Sequence, residues 1–223
     1  MIVSSSEPVL LIGGGEVYPE QLRRAHALCD LVVAADKGAD HALAQDILPD
    51  AVIGDFDSVS NRARAATPEA RLHIIAEQNS TDFDKCLRNI VAPLVIGVGF
   101  GGARVDHELA AFNTLVRRPD RRCLLLGRDT LTFLSPPSLA LPLAAGTAVS
   151  FFPLGAVEGV SDGLRWPIGG LSFTPDGQIG TSNEALGEVS FSFTAPKMLT
   201  LLPASTFEAT VTALLNTAQN WAA

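Results

Sequence analysis

The sequence is poor in features that mark secreted, membrane or nucleic-acid-binding proteins. Its 223 residues include only three cysteines, Cys29, Cys86 and Cys123, which form no C-x-x-C pair. No segment approaches the roughly 18 apolar residues of a membrane helix, and the N-terminus lacks a signal-peptide pattern. The net charge of −8 disfavours a nucleic acid or an anionic membrane as a partner. We therefore expect a cytoplasmic protein with reduced thiols.

Familiar ligand motifs are also scarce. The four histidines lack the spacing of a zinc site, and no G-x-x-x-x-G-K-[ST] phosphate loop occurs. Gly97, Gly99 and Gly102 match the G-x-G-x-x-G pattern of dinucleotide-binding folds. The match is weak, because charged residues follow where that fold needs small ones and the expected acidic residue, Asp129, comes late.

Apolar strands alternate with amphipathic helices through the first 135 residues. The strand-like runs end in polar or glycine-rich loops, as in "PVLLIGGGE", "DLVVAADKGAD", "DAVIGDFDS" and "PLVIGVGFGG". Continuous apolar strands between helices indicate a mostly parallel sheet that is covered on both faces. Residues 1–135 are therefore predicted to form an α/β domain, with ligands beyond the carboxyl ends of the strands.

A second domain is predicted from residue 146 to residue 223. The segment "SPPSLALPLAAG", residues 135–146, has three prolines and no helical period, which favours a linker or domain boundary. Short β-like runs then follow, separated by Gly, Pro and Asp turns, and the tail has a helical pattern. This pattern is typical of a small all-β sandwich or barrel with a terminal helix.

The stretch "DAVIGDFDSVS" places Asp55 and Asp57 directly after an apolar strand. Asp, Gly and Ser are turn formers, so the stretch alone is compatible with a loop in which Ser58 or Ser60 caps the next helix. Alternatively, two crowded carboxylates repel each other, and a divalent cation removes that repulsion. Mg²⁺ bound in this way usually keeps several waters and takes further ligands from substrate phosphates.

Other strand ends carry charged groups as well. In "STDFDK", Asp82 is a candidate third metal ligand and Lys85 a candidate phosphate contact, with Thr81 as a helix N-cap. In "RVDH", Arg104 is a candidate phosphate clamp, and Asp106 is expected to hold either Arg104 or His107 in place. A solvated helix start and a surface ion pair explain each motif separately. Their recurrence at successive strand ends favours a shared site.

Together these motifs resemble the thiamine pyrophosphokinase family. The resemblance rests on "LIGGGE", "AADKGAD", "PDAVIGDFDS", "QNSTDFDKCL" and "GFGGARVDHELA", and then on "SFFPLG", "VSDGLRWPIGGLSF" and "GTSNE". It extends over roughly residues 8–203. It implies transfer of the pyrophosphoryl group of ATP to the hydroxyl of thiamine, giving thiamine diphosphate and AMP, with Mg²⁺ as cofactor.

The resemblance also implies roles for individual residues of the first domain. Asp55, Asp57 and Asp82 would bind the metal, and these three with Arg104 would form the catalytic set. The residues expected to support or bind the nucleotide are Asp36, Lys37, Asp50, Lys85, Asp106 and His107. The chain departs from the family pattern at Lys37, Ala103 and Ala111, and its terminal helix extends beyond that pattern.

Thiamine contacts are implied in the second domain. Ser182 and Asn183 would hydrogen-bond the aminopyrimidine, and the indole of Trp166 would contact the cationic heterocycle. Packing alone remains an alternative explanation for Trp166. The resemblance further implies a homodimer in which each active site combines the sheet domain of one subunit with the β domain of the other.

Three other interpretations remain open from the sequence. A pterin-type pyrophosphokinase would not need the "GLRWP" and "TSNE" segments. A D-x-D glycosyltransferase would leave Asp82, Arg104 and the β domain unexplained. A non-catalytic thiamine or nucleotide sensor would bind ligand without releasing AMP.

Overall fold

A computed structural model of the chain describes residues 1–102 and 104–222 and contains two compact units. The first unit comprises Met1–Thr114 and Leu125–Gly127, and the second comprises Leu115–Leu124 and Arg128–Ala223. The division therefore falls earlier in the chain than the predicted boundary at residues 135–146. One reason is that the strand Thr130–Leu134 pairs antiparallel with Met198–Pro203, a strand of the second unit.

The first unit is built from short strands and helices in alternation. Its strands are β1 (Val3–Ser4), β2 (Val9–Ile12), β3 (Leu31–Ala35), β4 (Ala51–Gly54), β5 (Leu72–Ile74), β6 (Ile90–Val91) and β7 (Val95–Val98). Its helices are α1 (Pro19–His26), α2 (Gly38–Leu43), α3 (Asn61–Ala66), α4 (Asp82–Asn89) and most of α5 (Val105–Arg117). A 3₁₀ turn covers Glu69–Arg71.

The main sheet of this unit is parallel, as the sequence predicts. Its strand order is β7-β2-β3-β4-β5, and each neighbouring pair runs parallel. Every residue of β2, β4 and β7 is buried, which agrees with their continuous apolar sequences. The strands β3, β4 and β5 follow in order on one side of β2, whereas β7 lies on its other side. The loops after β2 and β7 therefore border a topological switch point.

Two side-chain caps fix where helices begin near the carboxyl end of this sheet. Thr81 Oγ1 accepts a hydrogen bond from Asp84 N at 3.2 Å, which confirms the predicted N-cap of α4. Ser60 Oγ accepts from Ala63 N at 3.1 Å and caps α3. These caps set the positions of the polar residues that lie between strand and helix.

The second unit is antiparallel and ends in a helix, in agreement with the predicted β-rich domain. Its strands are β9 (Thr130–Leu134), β10 (Ser138–Leu141), β11 (Ala148–Pro153), β12 (Val157–Leu164), β13 (Ser172–Phe173), β14 (Gly180–Phe193) and β15 (Met198–Pro203), while β8 (Cys123–Leu126) falls at the division. A 3₁₀ turn, Ala204–Thr206, precedes α6 (Phe207–Asn216). The strand order is β13-β12-β14-β11-β15-β9, and β10 pairs with β14.

The proline-rich segment 135–146 is not a bare linker, contrary to the sequence-based expectation. It contains β10, whose four residues pair with Val189–Ser192 of β14. The three prolines lie outside β10, so they do not interrupt this ladder. Within residues 1–102 and 104–222, no helix combines the length and apolar character needed to cross a membrane.

Candidate active site

The turn after β4 brings two carboxylates to the carboxyl end of the parallel sheet. β4 ends at Gly54, where an added Cβ would lie 2.9 Å from the Cβ of Asp36. Asp36 directly follows the neighbouring strand β3. Glycine at position 54 therefore allows the two strand ends to approach closely.

Phe56 separates Asp55 from Asp57 and anchors the turn. Its φ of 66° lies in the left-handed region, which is rare for a bulky residue. The residue is 8% exposed and belongs to a buried cluster with Ala34 and Val52. Asp57 N donates to Asp55 Oδ1 at 3.3 Å, a local bond typical of turns. The stretch is thus a turn that also places two carboxylates at the carboxyl end of β4.

Asp36, Asp55 and Asp57 form an acidic group in which ligand oxygens lie within 4.8 Å of one another. Asp36 is 3% exposed, and its Oδ2 accepts hydrogen bonds from the backbone N–H and the hydroxyl of Ser58. Its Oδ1 is buried and has no hydrogen-bond partner among the described residues. The negative charge of Asp55 raises the pKa of Asp57. These crowded carboxylates and the unpartnered buried oxygen fit a hard divalent cation such as Mg²⁺.

This grouping differs from the predicted ligand set of Asp55, Asp57 and Asp82. Among the described residues, it is Asp36 and not Asp82 that completes the three-carboxylate group. Asp82 Oδ1 instead lies 3.0 Å from Lys85 Nζ, within the first turn of α4. Lys85 Nζ also lies 3.1 Å from Asp55 Oδ2.

Lys85 is therefore a buried counter-ion of two carboxylates, Asp55 and Asp82, and its predicted contact with a phosphate stays a prediction. Its side chain is only 2% exposed. Burial lowers the pKa of Lys85, but hydrogen bonds to Asp82 and Asp55 outweigh that effect and the pKa is raised. Burial likewise raises the pKa of Asp55, but hydrogen bonds from Lys85, Asp57 and Gln78 outweigh it and the pKa is lowered. Both groups are thus held in their charged forms.

Residues that sequence reasoning passed over support this arrangement. Gln78 Nε2 donates to Asp55 Oδ2 at 3.0 Å, and Ser58, considered only as a helix cap, donates to Asp36. The loop that carries Gln78 is held by an ion pair between Glu77 Oε1 and Arg88 Nη2 at 2.7 Å. Gln78 lies in the segment "QNSTDFDKCL" and Ser58 lies in "GDFDS". Their closeness in sequence to the predicted metal ligands was the signal that could have identified them.

Glycines let the loops after β2 and β7 meet at the switch point. Gly15 N donates to Gly99 O at 2.8 Å. An added Cβ at Gly13 would lie 2.4 Å from the same oxygen, so a larger residue cannot fit there. Gly99 itself has a φ of 79°. The backbones of these two loops therefore meet at the switch point, which is where ligands bind in such sheets.

Arg104 lies at the start of α5 with its guanidinium largely in solvent. Its side chain is 67% exposed, and its Nη2 lies 2.6 Å from Asp106 Oδ2. Arg104 Nε also donates to Asp106 Oδ1, which completes a bidentate pair. His107 Nε2 lies 4.0 Å from Asp106 Oδ2 and is similarly exposed. Asp106 is thus placed to orient Arg104, as the sequence suggested.

The remaining predicted residues of the first unit are placed differently. Asp50 Oδ2 accepts from Val32 N at 2.9 Å, and Asp50 also pairs with Arg71. Because Asp50 precedes β4 and Val32 is near the start of β3, this contact lies at the amino end of the strands, away from Asp55. Lys37 is exposed and lies beside Gly14. Ala103 lies outside the described residues, and Ala111 is buried in α5.

The second unit contains a cleft that is lined by all three predicted vitamin-contact residues. Trp166, Ser182 and Asn183 border this cleft of about 300 Å³ together with Ile168, Phe173 and Gln178. The indole of Trp166 is 54% exposed, so it is not a core tryptophan. Asn183 is 7% exposed, and both ends of its amide bond to the backbone of Trp166.

Family models match most of the chain. The model described as "Thiamin pyrophosphokinase, catalytic domain" matches residues 22–125. The model described as "Thiamin pyrophosphokinase, vitamin B1 binding domain" matches residues 138–198. The first match contains the carboxylate group and the second contains the tryptophan cleft.

Curated relatives point to the same family. Thiamine pyrophosphokinase 3 of Oryza sativa subsp. japonica is 30% identical over 154 residues, which are 60% of this chain and 58% of that protein. Thiamine pyrophosphokinase 1 of Arabidopsis thaliana is 29% identical over the same shares of the two chains. The alignment thus spans less than two thirds of the curated relatives' own length.

Solved structures share the fold. A thiamin pyrophosphokinase from Candida albicans superposes with a TM-score of 0.74 at 16% identity, covering 90% of this chain and 92% of that one. One from Geobacillus thermodenitrificans gives a TM-score of 0.72 at 22% identity, covering 88% of this chain and 96% of that one.

Proposed function

The chain belongs to the thiamin pyrophosphokinase family, and on that premise we propose that it transfers the pyrophosphoryl group of ATP to the hydroxyl of thiamine. The products are thiamine diphosphate and AMP. One observation carries the proposal: a single chain combines the carboxylate group of Asp36, Asp55 and Asp57 with a cleft bordered by an exposed tryptophan. The first suits a metal–polyphosphate complex, and the second suits a flat cationic heterocycle.

The residues of the first unit have distinct tasks in this reaction. Asp36, Asp55 and Asp57 would hold Mg²⁺, which when bound supplies positive charge to neutralise the phosphates of ATP. Lys85 and Gln78 keep Asp55 ionised and oriented through bonds of 3.1 and 3.0 Å. Asp82 acts through Lys85. Arg104, exposed at the start of α5, provides a guanidinium that matches phosphate geometry.

The thiamine hydroxyl must be aligned with the β-phosphorus of ATP for in-line attack. Holding two reactants together in this geometry is the main contribution that a protein makes to phosphoryl transfer. The indole of Trp166 stacks on the heterocycle of thiamine, and Ser182 lies on the same cleft for a polar contact. The cleft thereby selects the acceptor and the carboxylate group selects the donor.

The proposal includes a homodimer with composite active sites and a cytoplasmic location. The dimer is supported by the family resemblance and by the separation of the carboxylates and the tryptophan cleft into different units. The location is supported by Cys29, Cys86 and Cys123, which are all free thiols.

Incubation of the purified chain with ATP, Mg²⁺ and thiamine tests the proposal directly. AMP and thiamine diphosphate should accumulate in equal amounts and only when all three are present. Thiamine binding without AMP release would favour a non-catalytic sensor. ADP as the sole nucleotide product would identify transfer of a single phosphoryl group instead, and turnover of a pterin alcohol in place of thiamine would redirect the acceptor.

A further inference from the structure

The side chain of Asn183 clasps the backbone of Trp166. Asn183 Oδ1 accepts from Trp166 N at 3.2 Å, and Asn183 Nδ2 donates to Trp166 O at 2.7 Å. Oδ1 accepts a second bond from Glu184 N at 2.9 Å. Two backbone donors therefore face Oδ1 and one acceptor faces Nδ2, which fixes the orientation of the amide.

The clasp continues a β-ladder at the point where the backbone ladder stops. Leu164 pairs with Ala185, and Arg165 N still donates to Glu184 O at 2.9 Å. At the next residue, Trp166, the amide of Asn183 takes the place of a strand backbone, since an amide carries the same donor and acceptor. Pro167 follows and disfavours a helical conformation at Trp166.

The residue before Asn183 supplies the necessary change of direction. Ser182 has a φ of 64°, in the left-handed region, and its N–H donates to Ser150 Oγ at 3.1 Å. Asn183 is 7% exposed, and Ala185, two residues further along the same strand, is buried as well. A strained residue such as Ser182 persists only where its surroundings hold it, and here it directly precedes the buried amide.

The indole of Trp166 depends on this backbone clasp for its position. The residue is 54% exposed, so packing holds the ring only in part. The guanidinium of Arg165 lies 5.1 Å from the ring centroid, but Arg165 is itself exposed and joined to Glu184 by a 3.4 Å ion pair. Such exposed contacts contribute little fixed geometry.

We propose that Asn183 is a positioning residue, which holds Trp166 over the cleft and does not itself hydrogen-bond the aminopyrimidine of thiamine. The assignment rests on the proposed function. The two hydrogen bonds to Trp166 and the one to Glu184 use three of the four hydrogen bonds that a side-chain amide can make. Polar contact with the vitamin then falls to Ser182 and its neighbours along the cleft.

A double-mutant cycle on the full chain, read by calorimetric titration with thiamine, separates positioning from direct contact. Asn183→Ala and Trp166→Ala should each weaken thiamine binding, by about tenfold for a lost cation–π contact of the expected size. In the Trp166→Ala background, Asn183→Ala should change binding by less than about threefold, because the ring it positions is gone. Losses that multiply in the double variant would establish an independent contact and overturn the assignment.

A fluorescence measurement without ligand provides a second readout. Trp221→Phe leaves Trp166 as the sole tryptophan of the chain. In that background, Asn183→Ala should increase acrylamide quenching of Trp166 and shift its emission, whereas unchanged emission and quenching would overturn the clasp. Asn183→Asp keeps the size and the acceptor oxygen, and it serves in the cycle if the alanine variant does not fold.

Failure of the proposed function is distinguishable from failure of this assignment. An unsubstituted chain that binds no thiamine in the titration overturns both the function and the assignment. A chain that binds thiamine but gives multiplicative losses overturns the assignment alone. The KM for ATP should remain unchanged in Asn183→Ala, since Asn183 and Trp166 both belong to the second unit and the proposed ATP-binding carboxylates belong to the first.

Discussion

Lys85 Nζ lies 3.1 Å from Asp55 Oδ2 although 30 residues separate the two in sequence. The side chain of Lys85 is 2% exposed and that of Asp55 is 13% exposed, so water screens the pair poorly. A desolvated charge is costly unless it is paired. Asp55, a proposed metal ligand, is therefore paired with a buried cation.

Lys85→Met should destabilise the protein strongly. The substitution leaves Asp55 and Asp82 without their shared cation, and removal of one member of a buried pair costs about 3–5 kcal/mol. Urea unfolding at pH 7 measures the loss. Lys37→Met removes an exposed lysine from the same unit and should change the free energy of unfolding by less than about 0.5 kcal/mol. Equal effects of the two variants would contradict the role of Lys85.

Asp57→Asn and Asp82→Asn should differ in their need for Mg²⁺. Asp57 belongs to the three-carboxylate group, whereas Asp82 is bound to Lys85. We expect Asp57→Asn to raise the half-saturating Mg²⁺ concentration by at least about tenfold, and Asp82→Asn to raise it much less. Titration of activity with Mg²⁺, and of Mn²⁺ binding by electron paramagnetic resonance, checks the difference. A larger effect of Asp82→Asn would restore the ligand set that the sequence predicted.

The ion pair of Glu77 and Arg88 should make stability depend on pH in acid. Hydrogen bonds from Ser80 and Arg88 lower the pKa of Glu77 from 4.5 to about 2. A carboxyl whose pKa is lowered on folding stabilises the protein above its unfolded pKa, and this contribution is lost as the pH falls towards the folded value. The difference in unfolding free energy between the parent and Glu77→Gln should thus be full at pH 6 and should shrink between pH 4.5 and 2. A difference that grows as the pH falls would have the wrong sign.

Trp166→Ala should raise the KM for thiamine more than the KM for ATP. The indole is 54% exposed on the cleft of the second unit, so its removal leaves little cavity in the core. Trp221→Phe is the matched control, because Trp221 donates to Ser135 O and does not line that cleft. Steady-state kinetics with each substrate varied in turn measure both constants. Unfolding of the variant, or an equal rise in both constants, would assign Trp166 a structural role.

Mixed dimers test the composite active site. Asp55→Asn and Trp166→Ala chains should each be poor enzymes alone. When they are co-expressed, random pairing makes half of the dimers mixed, and roughly a quarter of all sites should carry neither substitution. Activity above both parents is expected. Activity equal to the average of the parents, with mixed dimers verified by differential tags, would place each site within one chain.

Much of the framework follows from the sequence by itself. Continuous apolar runs such as Val9–Ile12 are typical of strands buried on both faces, and their alternation with amphipathic helices indicates a parallel sheet covered by helices. Thr81 is placed to cap a helix because the bond it makes spans only three residues. The collection of charged strand ends at one edge also follows, since parallel strands end on the same side.

The composition of the site was decided by tertiary structure. Pairing of β3 with β4 brings Asp36 against Gly54 and into the carboxylate group, whereas Asp82 is drawn to Lys85. The hydrogen bonding of the Asn183 amide to the backbone of Trp166 likewise depends on the antiparallel ladder between β12 and β14. Local sequence fixes which residues reach a strand end, because propensities and caps act over a few residues. It does not fix which charges become partners, because that depends on distances between strands and on the cost of burying an unpaired charge.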